Sequence, residues 1–276
     1  MNVRIKNAQN DQYGNQKENI FLAMDEQDHC IGSGYVYPTV NRHQTNETPY
    51  LLFCSINPAD ELKEEFVKGV RQALFDAVYA RAVELRAEKK ELTARIYAGF
   101  ERNPELLEFY LSNGFEEDYS IFMEKVLDET YSLELPAYIR VEEFRVEDAF
   151  VADEFKQTYD EIFVTPMDIA EFREAQREDQ SFKNFYFYCE NQLVGECSVR
   201  EEGEYGWIET LFVLEEARGK GMSIVIMNYI HAYFKERGRK KSRLEVWELN
   251  KRAVSLYQKM GYAEYEKNCM FPGKTV

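Results

Sequence analysis

Histidine is scarce in this chain of 276 residues, and the three present, His29, His43 and His231, are scattered and form no ligand pair, so no metal site is expected. Cysteine is little better represented. Cys30, Cys54, Cys189, Cys197 and Cys269 are odd in number and include no C-x-x-C, which points to buried free thiols rather than a disulfide framework or a zinc site. No apolar run approaches the ~20 residues that span a bilayer. The opening Met1-Asn-Val-Arg-Ile-Lys-Asn7 is followed by polar residues rather than the apolar stretch of a secretory signal. No membrane association is expected, and a cytoplasmic location is. Basic residues are outnumbered, with 34 Lys and Arg against 50 Asp and Glu, a net charge of −16. Clustered cations are what phosphate backbones require, so nucleic acid is excluded as a general partner. A cationic partner is admissible, although acidity serves solubility equally well.

What is present is patterned as strands and helices in alternation. Residues 2–7, Asn19 to Asp25 and Cys30 to Tyr37 read as strands, the last two joined across Asp25–Asp28, and Tyr50 to Ile56 as a strongly apolar strand. A long helix is expected from about Asp60 to Lys90, with Phe66, Val70, Leu74, Ala77, Val78, Ala82 and Leu85 on one face. Ala94 to Phe100 is a further strand, and Asn103-Pro104 opens a helix that Asn113-Gly114 stops. Glu129 to Pro136 reads as a linker or closing strand, and Tyr138 to Phe144 as a strand. Two helices then follow, the second from Met167 to Arg177 after Pro166. Their Asp160, Glu161, Asp168, Glu171 and Glu174 make either a solvated face or an attractor for an amine. Phe185 to Cys189 and Leu193 to Arg200 form a hairpin across Glu190-Asn191.

The stretch from Trp207 to Ser223 carries the most information. Trp207 to Leu214 is rich in β-branched and aromatic residues, Arg218-Gly219-Lys220-Gly221 is a loop, and Met222 to Glu236 has helical apolar spacing. Glycines allow a tight turn and a close ligand approach, while the helix that follows offers unpaired N–H groups and the positive end of its dipole. Arg218 and Lys220 add charge, so the loop suits a pyrophosphate. A second block follows: a strand from Ser242 to Leu249, then Asn250, Ala253, Tyr257, Gly261 and Tyr262 at fixed spacing. Asn103, Tyr110, Gly114 and Phe115 precede Asn250, Tyr257, Gly261 and Tyr262 by a constant offset, an internal repeat. The first half has no such loop, since Ile56 to Lys63 places Asp60 and Glu61 where phosphate would sit.

The two linked blocks resemble the signature of the GNAT superfamily of N-acetyltransferases. Its loop reads Arg or Gln, two residues, Gly, one residue, Gly or Ala. Arg218 and Gly221 match, and Ser223 takes the final place. The resemblance implies an α+β protein of two tandem GNAT folds, each a mixed, mostly antiparallel sheet flanked by helices. Residues 1–130 would be a degenerate unit that does not bind CoA, and 131–276 the catalytic one. It further implies acetyl-CoA as cosubstrate, without a metal, bound by Leu211, Phe212, Val213, Arg218, Gly219, Lys220, Gly221, Met222, Ser223 and Asn250. A backbone N–H between Phe212 and Leu214 would polarise the thioester carbonyl. Glu209 would be the base, with Glu245 and Glu248 as alternatives, and Tyr257 the acid that protonates the departing thiolate. The expected activity is acetyl transfer to a primary amine by direct attack, the acceptor being a small cationic molecule and the protein a monomer or homodimer. A non-catalytic acyl-CoA sensor or scaffold is the alternative. A purely structural interaction protein is opposed by the intact loop.

Overall fold

The computed structural model describes residues 2–128, 130–164 and 167–276. Glu129, where the expected linker begins, and Pro166, the expected signal before the Met167 helix, lie outside the described residues. The chain divides into two compact units: one runs to Tyr119 and takes back Asn268–Val276, and the other is Ser120–Lys267. The sequence placed the boundary at 130/131 with no return, so the units are drawn differently from the two halves expected.

The first unit contains β1 (Arg4–Asn7), β2 (Ile20–Met24), β3 (Cys30–Val40), β4 (Tyr50–Pro58), α1 (Glu64–Glu88), β5 (Ala94–Tyr97) and α2 (Pro104–Ser112). Strand β3 runs past Tyr37, where the sequence pattern ended it, and through Pro38. Its pairing with β2 ends at Tyr35, so beyond that residue β4 is the strand that pairs with it and a proline is tolerated there. Helix α1 buries Val70, Leu74, Val78, Ala82 and Leu85 against the sheet. Strands β4 and β5 are parallel only from Tyr50↔Ala94 to Phe53↔Tyr97, and an aromatic cluster packs the core of this unit. Tyr110, 2 % exposed, stacks on Phe100 at 5.7 Å and meets Phe75 edge-on at 6.0 Å. The tyrosine of the first repeat is therefore a packing residue. Asn103 caps α2, its side chain accepting from Leu106 N at 3.0 Å.

The next strand, β6 (Tyr119–Val126), was not read from the sequence and belongs to the second unit's sheet. After it come β7 (Ile139–Phe144), α3 (Ala149–Phe163), α4 (Ile169–Glu178), β8 (Lys183–Cys189), β9 (Gln192–Glu202), β10 (Tyr205–Val213), α5 (Met222–Glu236), β11 (Lys241–Trp247), α6 (Lys251–Lys259), β12 (Ala263–Met270) and β13 (Gly273–Thr275). The sheet orders are β1-β2-β3-β4-β5-β13 and β12-β6-β11-β10-β9-β8-β7. Each sheet is mixed, with parallel pairing at β4–β5 and β10–β11 and antiparallel pairing between its other central strands. The first repeat thus supplies a strand to the interior of the second unit's sheet, and the chain's last strand closes the first.

Two features set α5 and the α3–α4 pair on the second sheet. Gly206 lies under α5 so closely that a Cβ there would stand 2.3 Å from the Phe234 ring. Asp148 and Asp168 cap α3 and α4, accepting from Phe150 N at 2.8 Å and Ala170 N at 2.9 Å. Asp160 accepts from Met167 N at 2.7 Å and pairs with Lys156. Of the acids that might draw an amine, Asp160 and Asp168 therefore have structural duties.

His231 on α5 is fully buried, its Nε2 2.8 Å from the Tyr262 hydroxyl, which lies 2.5 Å from Ser242 Oγ. Burial, and secondarily the nearby Lys125, push its pKa down to about 3 from 6.5. A base whose pKa is lower folded than unfolded contributes stability that is full above about pH 6.5 and declines as pH falls through 3. His231→Gln is expected to remove on the order of 4 kcal/mol of acid destabilisation over that window. Urea midpoints of both proteins from pH 7 to pH 3.5 check this, and parallel pH curves would refute it.

Candidate active site

The loop after β10 is built as a cradle for an anion. Gly219 and Gly221 hold φ of +73° and +78°, and a Cβ at either would meet no protein atom within 4 Å. Glycine is required there by backbone conformation, and the space it leaves is open. Gly221 is the N-cap of α5 and brings no capping side chain. Its carbonyl accepts from Ile224 N and Val225 N, so the N–H groups of Met222 and Ser223 begin the helix without an intrahelical carbonyl. Arg218 is anchored by Nε to the Val213 carbonyl at 3.1 Å. Burial, and then the charge of Arg252, lower its pKa. Arg252, in the first turn of α6, was not singled out in the sequence. Two guanidiniums within electrostatic reach repel, and a bound anion relieves that repulsion. Its signal was its place in the first turn after Asn250.

Above the loop the central strands part. Strands β10 and β11 pair only from Tyr205↔Lys241 to Ile208↔Leu244. Yet β10 stays bonded to β9 as far as Val213, and β11 to β6 as far as Trp247. The register of β10 on β9 shifts between Ile208 and Thr210, a bulge at Glu209 that turns the strand away from β11. Leu214 N donates to Val194 O at 2.9 Å. Amide directions alternate along a strand, so Phe212 also donates towards β9, while Leu211 and Val213 point their N–H groups into the opening. Within the expected window of Phe212 to Leu214, Val213 alone aims a donor there.

The other expected residues fall as follows. Tyr257 on α6 is 7 % exposed. Burial, with a smaller contribution from Cys197, raises its pKa and keeps the phenol protonated. Asn250 Oδ1 accepts from Ala253 N at 3.1 Å, the same helix-capping duty Asn103 performs in the first unit. Glu209 lies at the bulge in an ion pair with Arg200 Nε at 2.5 Å, and that guanidinium also reaches Glu202 at 3.2 Å. Glu245 accepts from the Ser120 hydroxyl. Among the described residues no group of three or more His, Cys, Asp and Glu side chains gathers as a metal ion would require, and no helix is long and apolar enough to cross a membrane.

One acid escaped the sequence altogether. Glu196 on β9 is completely buried and accepts from Thr210 Oγ1 at 3.0 Å and Ser198 Oγ at 2.5 Å. Burial pushes its pKa up to about 8, against the opposing effect of those two hydroxyls. It sits in Leu193 to Arg200, an alternating strand in which nothing local distinguishes it.

Residues 148–262, running from the α3 cap through Tyr262, match the model of the acetyltransferase (GNAT) family. This part of the chain matches a family of acyltransferases, whose members generally use acyl-CoA. Among solved structures, a conserved protein of unknown function from Enterococcus faecalis, described as a probable N-acyltransferase, superposes with a TM-score of 0.50 at 11 % identity. That match covers 91 % of this chain and 61 % of the other. A GCN5-related N-acetyltransferase from Sphaerobacter thermophilus is 14 % identical over 94 % of this chain and 81 % of its own, with a TM-score of 0.47. A tandem GNAT protein from the clavulanic acid biosynthesis pathway is also 14 % identical, over 93 % and 82 %, with a TM-score of 0.43. No curated protein matches the chain in sequence.

Proposed function

We propose that the second unit transfers an acetyl group from acetyl-CoA to the primary amine of a small cationic acceptor. The observation that carries this reading is the opening between β10 and β11, with the Val213 N–H aimed into it and the Gly221-capped start of α5 at its mouth. The N–H groups of Met222 and Ser223, with Arg218, would hold the pyrophosphate. Val213 N–H would then stand where negative charge develops on the carbonyl oxygen. The protonated Tyr257 hydroxyl supplies a donor for the leaving sulfur. The acidity of the chain, −16 overall, favours approach of a cationic acceptor.

The test is thermal unfolding with and without acetyl-CoA for the wild type, Gly221→Asp and Gly221→Ala. At 100 times its dissociation constant a ligand stabilises the native state by about 2.7 kcal/mol. The unliganded variants are expected to lose about 1–2 kcal/mol, because a side chain is strained in the left-handed region, and to lose the acetyl-CoA shift as well. An unchanged shift in Gly221→Asp refutes the loop assignment, and no shift in the wild type refutes the reading.

A further inference from the structure

Glu196 lies in the middle of a row across the sheet. Its cross-strand neighbours are Tyr186 on β8 and Phe212 on β10. Phe212 meets Phe163 of α3 edge-on at 6.4 Å, and Phe163 lies 4.4 Å from Tyr159. The carboxylate is thus set in an aromatic wall on the α3 face, one strand from Val213. Among the described residues its hydrogen-bond partners are the hydroxyls of Ser198 and Thr210, and Ser198 Oγ also lies 2.7 Å from Asn184 Oδ1. Among the described residues no cation is recorded against it. Cys197, the next residue, points to the opposite face, and it is within electrostatic reach of Tyr257. Proton acceptor and proton donor therefore approach the opening of the sheet from its two sides.

We infer that Glu196 receives the proton of the acceptor's ammonium group, which enters on the α3 face with its carbon skeleton against Tyr159, Tyr186 and Phe212. This rests on the acetyl-transfer reading above. Aromatic faces attract an ammonium, and the carboxylate completes the site for one. Glu196 takes one proton from the ammonium and later releases it to solvent. The neutral nitrogen forms a bond to the thioester carbon and the carbon–sulfur bond breaks. The second proton, still on nitrogen, passes to sulfur by way of the Tyr257 hydroxyl, leaving an amide and a free thiol. The titratable groups facing Glu196 are Tyr186 from β8 and Tyr159 from α3. Burial chiefly, and Glu196 itself, raise both, so they remain neutral. Cys197 on the same strand is also pushed up, by burial first and then by Glu196.

The full-length protein is assayed by thiol release with acetyl-CoA and a panel of primary amines that includes putrescine, ethanolamine and tyramine. The wild type is expected to show kcat/KM rising with pH to a plateau above about 8, the value to which burial brings Glu196. Glu196→Gln should keep the acetyl-CoA thermal shift, which shows it folded and cofactor-competent, while kcat/KM falls about 10²–10⁴-fold and the rising limb disappears. Glu196→Asp, with its carboxylate drawn back, should keep the limb at a reduced rate. A Glu196→Gln protein within threefold of the wild type overturns the inference, as does a limb that follows the pKa of the amine used. A wild type that binds acetyl-CoA and acetylates no amine removes the acetyl-transfer reading, and this inference with it.

Discussion

A fragment spanning 131–267 is expected not to fold, whereas one spanning 116–267 is expected to unfold cooperatively. The difference is β6, which lies inside the second unit's sheet between β12 and β11 and pairs with β11 from Lys241↔Val126 to Trp247↔Ser120. Without it the whole of that β11 ladder faces water, and β11 loses its partner on the side away from β10. The apolar loss is of the same order as the stability of a domain. Ile121, Met123 and Leu127 are 3 %, 1 % and 2 % exposed. Burying side chains of this kind is worth about 1.5–3 kcal/mol each, roughly 5–9 kcal/mol for the three, against about 5–15 kcal/mol for a typical native state. Urea unfolding followed by circular dichroism distinguishes the fragments. A 131–267 fragment as stable as 116–267 would show that β6 is dispensable.

Glu196→Gln is expected to make the protein more stable than the wild type at alkaline pH, and to remove most of one pH dependence. The carboxyl is fully buried, and its pKa is raised to about 8 from 4.5. A group whose folded pKa lies above its unfolded value contributes stability that is full below about pH 4.5 and is lost as pH rises through 8. Across that window the loss approaches ~5 kcal/mol for a shift of this size. A neutral amide has no such dependence and keeps hydrogen-bonding capacity towards Ser198 and Thr210. Stability curves for both proteins at pH 5, 7 and 9 should diverge steadily with pH. Other groups titrate in both proteins alike, so the difference isolates Glu196. Curves that stay parallel would mean that the carboxyl is ionised in the folded state at neutral pH. His231 acts in the opposite direction, so between them the two buried groups hold the second unit to a band of intermediate pH.

The sequence alone determined the elements whose reasons are local. Alternation named β10 and the β8–β9 hairpin, helical spacing named α1 and α5, and Asn113-Gly114 marked the end of α2. The glycines at 219 and 221 announced backbone that only glycine adopts easily, and two blocks at fixed spacing carried the resemblance to the GNAT family, whose model matches residues 148–262. Tertiary structure alone decided what depends on distant segments meeting. The crossing of β6 into the second sheet and of β13 into the first is written in no local pattern, since a half-buried strand reads the same whichever sheet receives it. The bulge at Glu209, which parts β10 from β11 and leaves Val213 rather than Phe212 facing the opening, follows from register against β9. Glu196 was invisible for the same reason. An acid in an alternating strand reads as solvent-facing until both neighbouring strands and α3 cover it, and that burial gives it its chemistry.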